Sequence, residues 1–167
     1  MDDKKNVLLY AIITILVVVL LSILIYTKFL ATIQSKVYFA DQQASYLIAK
    51  NKTVKKNSLY NNLIKELIKG PTGEDLVATI PPQTKLLGVE VKDKTAVVNF
   101  SKELKETHWG GTAGETMTVY SVVNTLAQFN EIDKVKILIE GQEIETLAGH
   151  MELSQALSFN STIIKSE

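Results

Sequence analysis

An uninterrupted apolar run lies near the amino terminus of this chain. No residue from 6 to 27 carries a charge, and a helix of that length would span about 33 Å, close to the hydrocarbon thickness of a membrane. Tyr10 and Tyr26 lie towards its two ends, where aromatic rings favour the headgroup region. The alternatives are a buried core helix and a cleaved signal peptide, but signal peptides have shorter apolar regions and a small-x-small cleavage site. The pattern therefore predicts a single membrane anchor at 6–27.

The parts that flank this predicted anchor decide its orientation. Two lysines precede the run and two follow it closely, so the positive-inside rule is nearly balanced. A head of five residues, 1–5, is easily left in the cytoplasm. We therefore expect a single-pass protein of the cell membrane with its carboxyl-terminal domain outside the cytoplasm, joined through a short tether at 28–35.

Beyond the tether, the hydrophobic period alternates between that of a strand and that of a helix. Residues 36–40 and 46–49 each follow the strand period, which predicts an opening hairpin. Apolar residues from 60 to 68 then fall on one helical stripe. Gly70 and Pro71 should end that helix, because glycine accepts a positive φ and proline cannot extend the hydrogen-bond ladder.

A second hairpin and a second helix follow. Residues 87–91 and 96–100 alternate on either side of a polar turn, which predicts another antiparallel pair. Thr112 stands three positions before Glu115, the spacing of a capping box in which each side chain pairs with a backbone amide of the first helical turn. The sequence therefore predicts a helix over about 113–129, with an apolar face broad enough for deep burial.

The last elements complete the predicted fold. Residues 135–139 alternate as a strand, Gly141 permits a tight turn, and 144–147 can pair back. The order hairpin, helix, hairpin, helix, hairpin predicts an α+β domain at 36–157, with two helices packed on one face of a mixed, mainly antiparallel sheet. The remaining residues, 158–167, are expected to be a flexible tail.

Composition excludes several classes of function. The 167 residues carry 18 basic and 18 acidic side chains, every basic one a lysine, and there is no cysteine. A balanced charge without arginine argues against a nucleic-acid partner. Absence of cysteine excludes disulfides and thiolate metal sites, and only two histidines are present to bind a metal. We therefore expect no metal and no cofactor.

The search for catalytic chemistry yields no recognisable motif. His150 could act as a base, yet no serine nucleophile with an orienting carboxylate stands at a diagnostic spacing. Glu143 and Glu145 point to the same side of the last predicted hairpin and could in principle form a glycosidase pair. A solvated strand face explains them more simply. The sequence therefore predicts that the protein is not an enzyme.

Three residues are candidates for an interaction surface. His108 and Trp109 lie in the loop before the second helix, where they could form a ligand patch or an edge that packs onto its own domain. Asn124 lies in the middle of that helix beside its apolar face. A polar amide there either finds a hydrogen-bond partner within the fold or faces a protein contact.

Several blocks of the sequence follow one another in a recognisable order. They are Leu63 to Thr72 (LIKELIKGPT), Ile80-Pro81, Thr84 to Val89, Val98 to Ser101, Val119 to Phe129 (VYSVVNTLAQF), Val135 to Ile139 and Glu145 to His150. Together these blocks resemble the GerM (GerMN) domain family of sporulation and spore germination proteins, and the resemblance covers about residues 36–157.

The resemblance implies a non-catalytic, extracytoplasmic module of Gram-positive bacteria. Domains of this family are similar to the ring-building motifs of secretion and sporulation channels, in which helices on one sheet face mediate lateral assembly. Many relatives are lipoproteins attached through a cysteine, whereas this chain has none and would use the predicted anchor. The resulting hypothesis is a membrane-anchored module that binds envelope proteins or a second copy of itself. The alternative is a ligand-binding or wall-binding accessory module of an envelope sensor or enzyme.

Overall fold

The amino-terminal apolar run forms one long helix, α1 (Asp2–Leu30), in the computed structural model, which describes residues 2–73 and 75–165. Its stretch Asp3–Thr27 is long and apolar enough to cross a membrane, and none of it is buried against the rest of the chain. The Thr14 and Ser22 hydroxyls donate to carbonyls one turn earlier, at 2.8 and 2.7 Å. Polar side chains of α1 are thus satisfied within the helix itself, as both a membrane segment and a signal sequence require.

The predicted tether is not a separate segment, whereas the position of the predicted head at 1–5 stays a prediction. Helix α1 already includes residues 2–5 and continues to Leu30, and strand β1 (Thr32–Asp41) begins two residues later. Only Ala31 lies between the helix and the body. The tether prediction at 28–35 was wrong because residues 32–35 are strand-paired, with Thr32 opposite Lys55 and Ser35 opposite Lys52.

The first sheet has three strands. Strand β1 forms the predicted antiparallel hairpin with β2 (Leu47–Lys55), which is longer than its apolar pattern suggested. Strand β3 (Leu76–Val77) pairs only with the far end of β1, through Ala40 and Asp41. The sheet order is β2-β1-β3, and most of the β3 side of β1 is left without a strand.

The second sheet has four strands in sequence order. Strands β4 (Leu86–Lys92) and β5 (Thr95–Phe100) form the second predicted hairpin, and β5 pairs in parallel with β6 (Lys134–Ile139). Strand β7 (Gln142–Glu143) closes the order β4-β5-β6-β7. The α+β class with mixed strand directions is confirmed, but the strands of the described residues form two sheets where one was expected.

Three helices pack on these sheets. Helix α2 (Leu59–Lys69) buries the predicted stripe through Leu63, Ile64 and Leu67 and ends at Gly70, which has a φ of 85°. Helix α3 (Glu103–Glu106) is a single turn. Helix α4 (Thr112–Leu126) is the central element, with ten of its residues buried. Its apolar side chains join those of α2, β1, β5 and β6 in one continuous core.

Polar side chains at the end of α4 and just after it cover the side of β1 that lacks a neighbouring strand. The Thr125 hydroxyl accepts the Tyr38 amide at 3.2 Å. The Gln128 side chain accepts the Lys36 amide at 3.2 Å and donates to the Lys36 carbonyl at 2.7 Å. These side chains replace the neighbouring strand that β1 lacks, so its backbone groups are paired although the sheet is short.

The predicted return strand at 144–147 does not form. Strand β7 is shorter and earlier, and Leu138 and Ile139 pair with Glu143 and Gln142. The backbone amide of Leu147 is bound instead by the Glu115 carboxylate of α4. A strand was expected because apolar residues alternate here. The Leu147 amide, however, donates its hydrogen bond to the Glu115 side chain and not to a neighbouring strand.

The carboxyl-terminal segment is docked as far as the structure describes it, to Lys165. The Leu47 amide donates to the Ile163 carbonyl at 2.7 Å, and the Lys165 amide donates to the Leu47 carbonyl at 2.9 Å. Tyr38 and Phe159 pack edge to face at 6.1 Å between ring centroids. The prediction of a flexible tail at 158–167 was therefore wrong for residues 158–165, and 166–167 lie outside the described residues.

Candidate functional site

The end of the body that is remote from α1 contains an apolar cavity. Strand β1 leads away from α1 over ten residues, from Thr32 to Asp41, which is about 30 Å at 3.3 Å per residue. The cavity has a volume of about 380 Å³ and is called here the Trp109 cavity. Its lining residues come from β1, the turn after it, β3 and the two residues that follow it, the loop before α4, and the first half of α4: Ala40, Ala44, Val77, Ala78, Thr79, Trp109, Gly114 and Met117.

Trp109 is the main exposed aromatic side chain of this cavity. It is 58% exposed, and it is the only tryptophan of the chain. The sequence interpretation left open whether this ring packs on its own domain or faces outward, and the structure places it at the surface. An exposed indole beside an apolar cavity is well suited to contact the apolar part of a partner.

His108 holds the loop that carries Trp109. Its Nδ1 accepts the Gly110 amide at 2.9 Å, so its Nε2 carries the proton and donates to the Thr118 hydroxyl at 2.9 Å. That hydroxyl in turn donates to the Thr79 carbonyl. Both ring nitrogens are therefore in use, and His108 positions the loop on α4 without a free nitrogen for a ligand.

Burial keeps His108 neutral. Desolvation lowers the pKa of the imidazole, and this effect exceeds the opposing attraction of the Glu115 carboxylate, which raises it. A neutral ring is also what the hydrogen bonds require, because protonated Nδ1 could not accept the Gly110 amide. The loop geometry and the lowered pKa are thus consistent with each other.

One polar atom in the cavity wall has no partner. Thr79 is 2% exposed, and its side-chain oxygen Oγ1 makes no hydrogen bond within the described residues. A buried hydroxyl without a partner is unfavourable in a folded protein. That oxygen is inaccessible from the cavity, so the surface that an occupant of the Trp109 cavity would meet is mainly apolar.

Glu115 is buried and does not cap α4. The helix begins at Thr112 after Gly111, with no side-chain cap. Glu115 is 0% exposed, and its Oε1 accepts the amides of Leu147 and Ala148 at 2.8 and 2.9 Å, while its Oε2 accepts the His150 amide at 2.8 Å. The capping-box prediction was wrong because these three amides of a distant loop are better placed than the helix end.

The same hydrogen bonds keep Glu115 ionised. Burial by itself would raise the pKa of the carboxyl group, but the three backbone donors together outweigh it, so the pKa lies below the ordinary value of 4.5. The attraction of His150 acts in the same direction. Glu115 is therefore an anion that fixes the loop at 147–150 to the first turns of α4.

This lowered pKa predicts a pH-dependent stability. The ionised carboxylate contributes its full stabilisation above the unfolded-state pKa near 4.5, and the contribution is lost as the pH falls through the lower folded-state value. We expect the difference in free energy of unfolding between the wild type and Glu115→Gln to shrink from about pH 7 to about pH 3. Denaturant unfolding across this range measures it, and a difference independent of pH would contradict the assignment.

Asn124 is not a surface residue. It is 0% exposed, its Nδ2 donates to the Asn160 carbonyl at 2.8 Å, and its Oδ1 accepts the Asn160 amide at 2.9 Å. Asn124 is thus removed from the interaction-surface candidates, because its amide is fully used inside the fold. The structure matches the interpretation in which the amide has an internal partner.

The candidate catalytic residues do not converge on a site. His150 is exposed, and its backbone amide, not its ring, contacts Glu115. Glu143 is exposed and lies 3.2 Å from the Lys136 ammonium, while Glu145 is also exposed. Among the described residues, no group of three or more acidic or histidine side chains could hold a metal ion.

Sequence reasoning found Trp109 and His108 but missed Thr79, Met117 and the role of Glu115. The available signal for Glu115 was its position: a carboxylate that precedes a long run of apolar and small residues on one helix needs partners when that helix is buried. The spacing to Thr112 offered a local partner and concealed the distant one.

Comparison with known proteins gives the family. Residues 36–145 match the Germane family model, described as "Sporulation and spore germination". The spore germination protein GerM of Bacillus subtilis (strain 168) is 32% identical over 136 residues, covering 77% of this chain and 36% of GerM. The chain belongs to the Germane (GerMN) family. The resemblance inferred from the sequence blocks is thereby confirmed.

Solved structures agree with this membership. The first GerMN domain of GerM from Bacillus subtilis aligns with a TM-score of 0.64 and 31% identity, covering 75% of this chain and 97% of that domain. The tandem GerMN domains of the same protein align with a TM-score of 0.64 and 29% identity, covering 77% of this chain and 46% of the tandem. This chain therefore matches one GerMN domain and spans about a third of the curated GerM relative.

The Germane match extends over most of the site. It includes Trp109, His108 and Glu115, but it ends before His150 and before Asn160. Helix α1 lies wholly outside it. The residues of this chain that line the Trp109 cavity thus lie inside the matched region, whereas α1 and the docked carboxyl-terminal segment lie outside it.

Proposed function

We propose that this GerMN protein is a membrane-anchored, non-catalytic interaction module of the bacterial cell envelope that acts in sporulation or spore germination. Helix α1 holds the body at the outer face of the membrane. The Trp109 cavity, at the far end of the body, binds an envelope protein or a second copy of the chain. Family membership supports the biological process, and the remaining parts rest on the geometry.

The observation that carries the proposal is the exposure of α1. Its large apolar side chains between Val7 and Tyr26 are 46–69% exposed, and none of its apolar window is buried. An apolar surface of this extent cannot remain in water, and its length matches the hydrocarbon layer. Because β1 follows almost directly, the body is held at a membrane surface, where a weak contact acts at high effective concentration.

A single cysteine variant tests orientation and contact together. The chain has no cysteine, and Ser45 is an exposed residue of the turn beside the cavity. We expect Ser45→Cys to be labelled by a membrane-impermeant maleimide on intact cells after wall removal. We also expect a benzophenone maleimide attached there to trap another protein on irradiation, because this turn borders the contact surface and benzophenone inserts into C–H bonds without needing a partner thiol.

The matched control is Glu131→Cys, at an exposed residue away from the cavity. It should be labelled from outside as strongly as Ser45→Cys but should not be trapped. Labelling only after permeabilisation would refute the orientation. Equal trapping at both positions, or none at Ser45→Cys, would refute the Trp109 cavity as the contact surface.

A second candidate function is binding of a small ligand or wall fragment. The volume of about 380 Å³ lies within the range of small-molecule pockets. As the sole tryptophan, Trp109 reports such binding through its fluorescence. The protein is placed on vesicles at low density, and peptidoglycan fragments are added. A shift of the Trp109 emission favours ligand binding, whereas trapping of a protein at Ser45→Cys favours the interaction module.

A further inference from the structure

The end of the body next to α1 is marked by lysines of β2. The Lys56 amide donates to the Ala31 carbonyl at 2.8 Å, so the end of β2 lies where the chain leaves α1. Lys55 is opposite Thr32 in the strand register, and Lys52 is opposite Ser35. At 3.3 Å per residue, Lys52 lies about 10 Å along the strand from Lys55.

Helix α2 adds Lys65 to this end. The Asn62 side chain donates to the carbonyls of Lys55 and Asn57 at 3.0 and 2.7 Å, which fixes the start of α2 against the end of β2. Lys65 and Lys55 line the same surface groove, which has a volume of about 350 Å³. We call Lys52, Lys55, Lys56 and Lys65 the basic face.

Charge is concentrated here although the chain as a whole is neutral. Between residues 42 and 69 there are six lysines and one acid, Glu66. Glu66 lies 3.7 Å from Lys69. Within the part of the chain that the structure describes, Lys52, Lys56 and Lys65 take part in no ion pair. The charge of Glu131 also acts on α2, at Tyr60, whose pKa it raises after the larger effect of burial.

We propose that the basic face binds the anionic phospholipid headgroups of the membrane that holds α1. This inference rests on the membrane attachment proposed above. Negative headgroups attract lysines within about one Debye length, roughly 8 Å at physiological salt. Lys56 satisfies this condition because its backbone contacts the residue directly after α1, and Lys65, which lines one groove with Lys55, extends the attraction along one flank. Lys52 lies about 10 Å further along the strand and contributes least.

Binding through this flank would orient the body. The basic face lies at the start of β1 and the Trp109 cavity lies beyond its far end, so a body docked by its lysines presents the cavity away from the lipid. Without that contact, a single linking residue between α1 and β1 leaves the angle of the body less restricted. The basic face therefore determines where the cavity points.

The experiment uses the full chain carrying a fluorophore at Ser45→Cys, in vesicles with an acceptor on the headgroups. The vesicles are pure phosphatidylcholine or a mixture of phosphatidylcholine and phosphatidylglycerol. We expect a narrow donor–acceptor distance distribution with the mixture and a broad one with the neutral lipid. Lys52→Gln/Lys56→Gln/Lys65→Gln should broaden it with the mixture, lowering the docking equilibrium constant about thirtyfold through the loss of the two nearer lysines.

The matched control removes the same number of positive charges from another part of the body, around the carboxyl end of β5. Lys85, Lys102 and Lys105 are lysines near its carboxyl end, where the Lys85 amide donates to the Ser101 hydroxyl. Lys85→Gln/Lys102→Gln/Lys105→Gln should keep the narrow distribution. High salt should broaden the wild-type distribution, because the attraction is electrostatic.

Separate outcomes distinguish this inference from the attachment on which it rests. Chains that fail to float with vesicles of either composition contradict membrane attachment. Chains that float with both, but give the same distances for the wild type and both triple variants, overturn the basic face alone. The inference would also be overturned if soluble poly(glycerol phosphate) narrowed the donor–acceptor distance distribution on neutral vesicles as much as anionic lipid does. The lysines would then bind a phosphate polymer and not the lipid.

Discussion

Glu115→Ala is expected to lower the free energy of unfolding of the body by about 4 kcal/mol, because three backbone amides lose a buried, charged acceptor. Those amides belong to Leu147, Ala148 and His150, and each lies within 2.9 Å of the carboxylate. Two of them are at buried or half-buried residues, so water replaces the lost bonds incompletely. Glu115→Gln keeps the shape and one oxygen acceptor and should cost roughly half as much.

Denaturant unfolding of the full chain in detergent micelles measures this effect. The matched control is Glu106→Ala, which removes an exposed carboxylate that lies 3.3 Å from Lys102 one turn away. Such a surface pair contributes about 0.5 kcal/mol or less. A cost below about 1 kcal/mol for Glu115→Ala would mean that the loop at 147–150 finds other partners for its amides.

Glu115 also illustrates what a sequence pattern does not contain. Its spacing from Thr112 satisfies the rule for a capping box, a rule that considers only neighbours along the chain. Its actual partners are 32–35 residues away. Nothing in the local sequence distinguishes a glutamate that caps its own helix from one that binds a distant loop, because the choice depends on how α4 is placed in the fold.

Local periodicity did predict the elements that depend on neighbours. The stripe of α2 and its end at Gly70 follow from side-chain spacing and glycine conformation. The hairpin of β4 and β5 follows from two alternating runs around a turn at Asp93 and Lys94, both with positive φ. These features need no information from the rest of the chain, and they form as predicted.

The division into two sheets could not be predicted in the same way. One sheet requires β1 to pair along its whole length on both sides, but β3 covers only its far end. The side chains of Thr125 and Gln128 satisfy the backbone near its start. These residues read as ordinary polar positions on a helix, and their role depends on a sequence separation of about ninety residues.

The candidate site was only partly visible in the sequence for a related reason. Trp109 stood out because it is a single large aromatic residue in a polar loop. The cavity beside it is built from small residues of four separate segments, such as Ala40, Ala78 and Gly114. Small side chains carry no sequence signal of a cavity, which arises only when the segments meet.

Asn124→Ala is expected to release the carboxyl-terminal segment while the core stays folded. The variant removes two hydrogen bonds to the Asn160 backbone, at 2.8 and 2.9 Å, each worth about 1 kcal/mol. Local opening should therefore become about thirtyfold more frequent. The amide of Lys165, which donates to Leu47, reports this opening by hydrogen exchange.

The test compares the hydrogen-exchange rates of the carboxyl-terminal segment with those of the core strand β5. Exchange at Lys165 and Leu47 should accelerate far more than exchange in β5, because residues 163–165 pair with the start of β2, whereas the pairing with the second sheet is made before Asn160, between Leu157 and Val135. Asn61→Ala, which removes a half-buried asparagine from α2, is the control and should leave both rates nearly unchanged. Uniform acceleration across the body would mean that Asn124 stabilises the core itself, and no acceleration at Lys165 would mean that the segment is held by its apolar contacts alone.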